Sequence, residues 1–317
     1  MIISNETRND DSVWPDVAVA RWAGTKRSLH LYAQMLGKIK VALAPLRPNW
    51  MFTRLHLCAR GLTTGFIPWR DTSFEAAIDV FDSAIAVSRS TGSRAIIPLL
   101  PVRPVAEVYA DMTAALEALD ISCTITPGPQ EVPDTTPLNE DRRPSEYDPA
   151  AALRWFRAAT AASGIFDAWR AHFFGRTGLQ VWWGALDVSL MLFNGRHAEA
   201  PKDRGYIMRY DLDAELMSVG LYFGDEHSAP FFYGYIYPEP AGAQSLPIAP
   251  HAAAWSSQLR EWVLPYDAVS RSDNPQAPIT AFVDAIYRQC FEAAGWDRAE
   301  FTYRVPHLRA RHAPSSH

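Results

Sequence analysis

The chain reads as an α+β protein of two similar halves, each a helix, a run of antiparallel strands and a second helix, packed around a shared cavity. Three observations lead there. Helical spacing and strand alternation follow one another in the same order twice. A proline-rich acidic stretch, TPGPQEVPDTTPLNEDRRPSEYDP, separates the two runs. No Gly-rich strand-to-helix turn supports a doubly wound α/β sheet instead. The halves are expected at 13–125 and 150–306, with the connection at 126–149, forming one compact unit.

The first helix is expected from about Thr25 to Ala44, stopped by Pro45 and Pro48. The stretch NWMFTRLHLCARGLTTGFIP then alternates, with Met51, Leu55, Leu57 and Ala59 on one face and Phe52, Arg54, His56, Cys58 and Arg60 on the other. SFEAAIDVFDSAIAVSRSTGSRAIIPL continues as strands with a turn at Ser90 to Ser93, and helical spacing runs from Val105 to Leu119. After the connection, a helix from Pro149 to Phe174 leads into GLQVWWGALDVSLMLFNGR, read as one long strand ending in an Asn-Gly turn. That reading puts Gln180 and Trp182 on one face and Trp183 and Asp187 on the other. ELMSVGLYFGD, PFFYGYIYPEP and EWVLPYD read as further strands, and PITAFVDAIYRQCFEAAGW as the last helix.

Composition narrows the function classes. With 317 residues and 48% hydrophobic content the chain can bury a large core. A net charge of -5 with no basic run argues against nucleic acid as a partner. The polar, acidic start MIISNETRNDDSVWPD lacks the plan of a signal peptide, and no apolar run is long enough to span a bilayer, so the expectation is a cytoplasmic protein with no membrane partner. Cys58, Cys123 and Cys290 lie far apart, so neither a zinc knuckle nor a disulfide framework is expected. The glycine loops that cradle nucleotides, HExxH and GxSxG are all missing. Neither a cofactor nor a metal is therefore expected. The 11 tryptophans point to an aromatic-lined cavity or interface, because each buried indole N–H needs a partner.

Candidate site residues begin on the first helix. His30, Gln34 and Lys38 lie one turn apart and form a polar stripe flanked by apolar side chains on both sides. Lining a cavity, the stripe supplies His30 as acid or base and Lys38 as an anion anchor; the alternative is that it meets solvent. Arg60, in ARGLTT, is a clamp for a carboxylate or one member of a surface ion pair. Asp187 sits among Trp and Leu, where a carboxyl is either hydrogen-bonded or raised in pKa, and is a candidate general base. Tyr233, Tyr235 and Tyr237 share one strand face and wall a ligand site or cover a sheet.

LHLYAQMLGKIKVALAP, ARGLTT, SEYDP, WWGALDVSLMLFNGR, YPEP, LPYDAV and GWD, in this order over about Trp14 to Trp296, resemble a bacterial protein family known only as a domain of unknown function. The resemblance implies no activity. Members typically carry PVHFFWGSFDL where this chain has GLQVWWGALDV, and YSHE where it has LDAE, so Gln180 and Ala214 stand at positions where the resemblance leads one to expect histidine. A metal site resting on His30 alone would be weak, since imidazole ligands come in twos and threes.

The functional expectation is a cofactor-independent enzyme acting on a small, largely apolar metabolite by acid/base chemistry, of isomerase, lyase or cyclase type, with bacterial specialised metabolism as its setting. His30, Asp187 and Lys38 are the expected catalytic residues. Gln34, Trp50, Arg60, Gln180, Trp182, Trp183 and Tyr235 are the expected substrate contacts. The alternative is a non-catalytic binding or accessory protein that holds a small molecule in the same place.

Overall fold

A computed structural model describes residues 12–202 and 205–302. The first sheet contains β1 (His56–Cys58), β2 (Gly61–Thr63), β3 (Ile67–Trp69), β4 (Thr72–Asp79), β5 (Ala84–Arg89) and β6 (Arg94–Pro98). Its order is β1-β2-β4-β5-β6, with β3 also paired to β4, and every pairing is antiparallel. The second contains β7 (Arg176–Trp182), β8 (Asp187–His197), β9 (Ala214–Tyr222), β10 (Phe231–Tyr237), β11 (Ala254–Ser256) and β12 (Glu261–Pro265). It is antiparallel throughout, in the order β11-β12-β10-β9-β8-β7. The helices are α1 (Ala23–Leu43), α2 (Val105–Ala118), α3 (Pro149–Trp169), α4 (Tyr206–Asp211), α5 (Tyr266–Ser270), α6 (Gln276–Glu292) and α7 (Arg298–Phe301). Antiparallel sheets with separate helices make the chain α+β.

The two sheets meet edge to edge. Leu55, just before β1, and Val181 in β7 exchange both backbone bonds, at 3.1 and 2.9 Å. Helices α3 and α6 cover one face of the second sheet, and α2 packs beside β6. One hydrophobic cluster includes side chains of both sheets and of α1, α2, α3 and α6. Among the described residues no helix is long and apolar enough to cross a membrane.

Helix α1 explains the width of its apolar arc. It packs on α2, α3, β3 and β4, and every residue from Ser28 to Lys40 is buried. A helix enclosed on all sides reads as apolar on most of them.

Two strand expectations need correction. The first strand does not begin near Asn49. Residues 49–53 form tight turns in which Asn49 and Trp50 have φ of 56° and 50°, and β1 starts at His56. GLQVWWGALDVSLMLFNGR is not one strand but the hairpin β7–β8, turned through 183–186 with Leu186 at φ 57°. The turn breaks the alternation, so Trp182 and Asp187 are cross-strand partners on one face. Asn194-Gly195 lies inside β8, at a register shift between Phe193 and His197, with Gly195 at φ 83°. Its positive φ serves a bulge, for which glycine is suited.

Candidate active site on the second sheet

The second sheet has an apolar face and a polar one. Val188, Leu190, Val219, Leu221, Phe232 and Leu264 point to the helices and belong to the core cluster. Alternation sends the intervening residues to the opposite face. The register aligns Gln180, Ser189, Gly220 and Tyr233 in one row across β7, β8, β9 and β10. The adjoining row is Gly178, Met191, Ser218 and Tyr235. Trp182 and Asp187 pair on the other side of the Gln180 row.

This polar face is covered. Asn49 donates to the carbonyl of Asp211 at 3.0 Å and to the carboxylate of Asp213 at 2.8 Å, which pins the 49–53 turn over the sheet. Met51 from that turn packs with Met191, Phe193, Leu212 and Leu216, with Trp182 and Tyr235 at the margin. Two glycines make the cover possible. A Cβ at Gly178 would collide with the Met51 methyl, and one at Gly220 with the Tyr233 ring and the Val188 carbonyl. The space left by Gly220 is where Tyr233 reaches across β9 toward β8.

The resulting polar network is buried. The Tyr233 O–H donates to the Asp187 carboxylate. Ser189 and Ser218 hydroxyls lie 3.2 Å apart, and the Gln180 amide nitrogen is 3.5 Å from Ser189. Asp187 is 6% exposed and Gln180 2%. Among the described residues the Gln180 Oε1 has no hydrogen-bond partner, and neither has Oδ1 of Asp211.

Burial dominates the electrostatics. It raises Asp187 to about 6, with Glu131 adding repulsion and the Tyr233 bond opposing. Burial, then repulsion from Asp187, lifts Glu261 to about 7. Asp211 rises to about 7 through burial, then Asp213, Glu131 and Asp187. Tyr233 is driven well above its ordinary value by burial and the neighbouring carboxylate, so it stays an O–H donor. Glu131 is an exposed residue overall, yet its carboxylate end lies against Gly184, 2.5 Å from where a Cβ would stand, and its pKa is raised by burial.

Asp187, Gln180, Trp182 and Tyr235 thus come together. The stripe on α1 does not join them through any hydrogen bond. His30, Gln34 and Lys38 are buried, at 8%, 0% and 5% exposure, but they face backbone. His30 Nε2 bonds the Gly184 carbonyl at 2.8 Å, which fixes the proton on that nitrogen. Burial, and after it Lys26, lowers this imidazole to about 4, while bonds to the Gly184 and Trp183 backbone oppose the shift. Gln34 clasps Gln130 both ways, donating to its carbonyl at 2.7 Å and accepting from its N–H at 2.8 Å. Lys38 donates to the Gly128 carbonyl at 2.8 Å and to the Thr126 hydroxyl at 3.2 Å, with the Trp183 ring 6.0 Å away. The stripe holds the proline-rich connection and the β7–β8 turn in place.

Trp50 belongs to the cover: its indole N–H donates to the Ile207 carbonyl at 2.8 Å and its ring lies 5.5 Å from Phe52. Arg60 stands elsewhere, an exposed side chain paired with Asp79 and, at 2.9 Å, with Asp82. Ser189, Ser218, Glu261 and Arg54 were not picked out as site residues from the sequence, and Tyr233 was read only as part of a tyrosine wall. Their signal lay in alternation: Asp187, Ser189 and Met191 interleave with Val188, Leu190 and Leu192 in a strand buried on both faces. Among the described residues, no three His, Cys, Asp or Glu side chains are grouped to hold a metal ion.

A family model matches residues 14–303, described as a family of unknown function, DUF5996. The chain belongs to that family. The DUF5996 match takes in both sheets and every side chain of the polar face. No curated protein matches the chain. No solved structure matches it either.

Proposed function

We propose that the polar face of the second sheet is a small-molecule site, and that the protein is a cytoplasmic, cofactor-independent enzyme working by proton transfer on a small, largely apolar metabolite. The observation that carries this reading is Asp187: a buried carboxyl, bonded to Tyr233, with its pKa raised to about 6. A base tuned close to neutral pH is ionised and still a strong acceptor. Asp187 takes the proton. Tyr233 orients the carboxylate through its O–H. Glu261, at about 7 and repelled by Asp187, is the second proton carrier. Trp182, Met51, Met191 and Tyr235 supply the apolar wall, which suits an isomerase, lyase or cyclase type of reaction.

The repeated order of helix, antiparallel strands and helix supports reading the chain as a diverged duplication. Access belongs where the halves meet, in a groove between β1, α3 and β7 that Gln180 also lines. A second reading, binding without chemistry, is favoured by His30, whose Nε2 proton is committed to the Gly184 carbonyl and whose imidazole is lowered to about 4, a poor base for substrate work.

Solvent-deuterium incorporation decides between the two. Purified protein is incubated in D2O with a panel of small apolar carbon acids and followed by NMR. Exchange or conversion that Asp187→Asn abolishes supports catalysis. Binding with no exchange in any member supports the second reading.

A further inference from the structure

Building on the reading of the polar face as a ligand site, we propose that its ligand carries an oxyanion, a carboxylate or a phosphate, held by Arg54 with Gln180 beside it.

The backbone puts Arg54 there. The Leu55–Val181 bridge brings the residue before it alongside β7. Arg54 Nη1 then stands 2.8 Å, and Gln180 Oε1 2.6 Å, from the point where a Gly178 side chain would begin. Any larger residue at 178 would keep the two apart. They converge without bonding: among the described residues the Gln180 oxygen has no hydrogen-bond partner, and the Arg54 guanidinium enters no hydrogen bond or ion pair. A buried amide with one end unbonded is rare in a folded protein. The Gln180 orphan is an oxygen, and the guanidinium beside it is the group that lacks an acceptor.

The surroundings are cationic as well. The Lys40 ammonium is buried and donates to the Arg54 carbonyl and, at 2.8 Å, to that of Thr64. Arg47 and Arg176 add repulsion, which pushes the Arg54 guanidinium below its ordinary value after burial itself. His56, on the groove that Gln180 lines, is kept neutral at neutral pH, its pKa lowered to about 4 by burial, Lys40, Arg54 and Arg47. Asp167 pairs with Arg170, and Asp213 accepts from the Asn49 amide and acts on Arg176, so these acids serve other members of the group and not Arg54. A guanidinium offers the paired N–H geometry that carboxylates and phosphates accept. An oxyanion at Arg54 lies at one end of the face and Asp187 toward the other, with Gln180 and Ser189 between.

The test compares phenylacetate, phenylphosphonate and phenylacetamide as probes, titrated by calorimetry into wild type, Arg54→Gln, Arg54→Lys and Asp187→Asn. Phenylacetate or phenylphosphonate should bind wild type, and the neutral amide more weakly. Arg54→Gln should lose roughly ten- to hundredfold in affinity for the anion, the worth of a charge-assisted bond, with Arg54→Lys between the two. Whichever acid binds tighter identifies the oxyanion. Because Arg54 has no partner within the described protein, Arg54→Gln should keep or raise the melting temperature without ligand. The proposal falls if the amide binds as tightly as the acids, if neither acid binds at millimolar concentration, if Arg54→Gln binds like wild type, or if that variant melts lower than wild type. Anion binding that needs Arg54 but survives in Asp187→Asn, in a protein showing no deuterium exchange, would sink the catalytic reading and leave this one standing. Exchange with binding indifferent to Arg54 would do the reverse.

Discussion

Replacing Asp187 by Asn tests the electrostatics of the polar face through stability alone. The carboxyl moves from 3.8 to about 6 on folding, because burial penalises its charged form. A shift of roughly 2 units corresponds to roughly 3 kcal/mol of difference between the two protonation states. The sign follows from linkage. An acid whose folded pKa is raised contributes stability that is fully present below its unfolded value and is lost as pH rises through the folded value. Wild type should therefore weaken between about pH 4 and pH 7 by up to roughly 3 kcal/mol from this group, while Asn, uncharged throughout, does not. At low pH the variant should sit slightly below wild type, having exchanged a carboxyl for an amide opposite the Tyr233 hydroxyl. By pH 8 it should overtake wild type. Urea unfolding followed by tryptophan fluorescence at pH 4.5 and 8 measures the crossover. A stability difference that is the same at both values, or that grows more unfavourable toward pH 8, would refute the reasoning.

Three further outcomes follow from the packing. Gln34→Ala strips a buried amide from both bonds to Gln130 and should cost about 2 kcal/mol, with faster hydrogen exchange at the Gln130 amide. Gly37→Ala drives a methyl into the Trp183 ring carbons on a helix that has no free side, and should lower stability by roughly 1–3 kcal/mol in thermal denaturation. Arg60→Ala should leave the melting temperature nearly unchanged, as loss of an exposed pair does, and should leave any turnover of the site intact in a direct assay.

Most of the elements were legible because their periodicity is strong. Helix α1, the turn at 90–93, α2 and the last long helix stand within a few residues of where the spacing predicts them. The strand alternation of PFFYGYIY correctly sets Tyr233, Tyr235 and Tyr237 on one face, since each pairs on the same side of the ladder to β9. The hairpin at 183–186 was not legible. WWGALD carries no Asn-Gly or Pro signal, and the left-handed residue is Leu186, a type that rarely adopts that conformation. Missing the turn inverted the parity of Asp187 and hid its partnership with Trp182.

The site was half legible for a related reason. The pattern on α1 shows that His30, Gln34 and Lys38 share a face, but not that this face meets backbone carbonyls from residues a hundred positions on. Main-chain partners leave no trace in composition. Arg54 was equally hidden, because its role depends on Gly178 in the other sheet, a contact set by tertiary structure and not by local period. Asp187 stood out by chemistry, an acid among tryptophan and leucine, and that argument needs no register.

The most direct measurement is the titration of the Asp187 carboxyl itself, by carbon NMR on protein labelled at the aspartate side-chain carboxyl, with Asp187→Asn to assign the signal. A midpoint near 6 that moves when ligand is added is the expected result. A midpoint in the ordinary aspartate range, unmoved by any ligand, would show a solvated carboxyl and contradict a proton-transfer centre on this sheet.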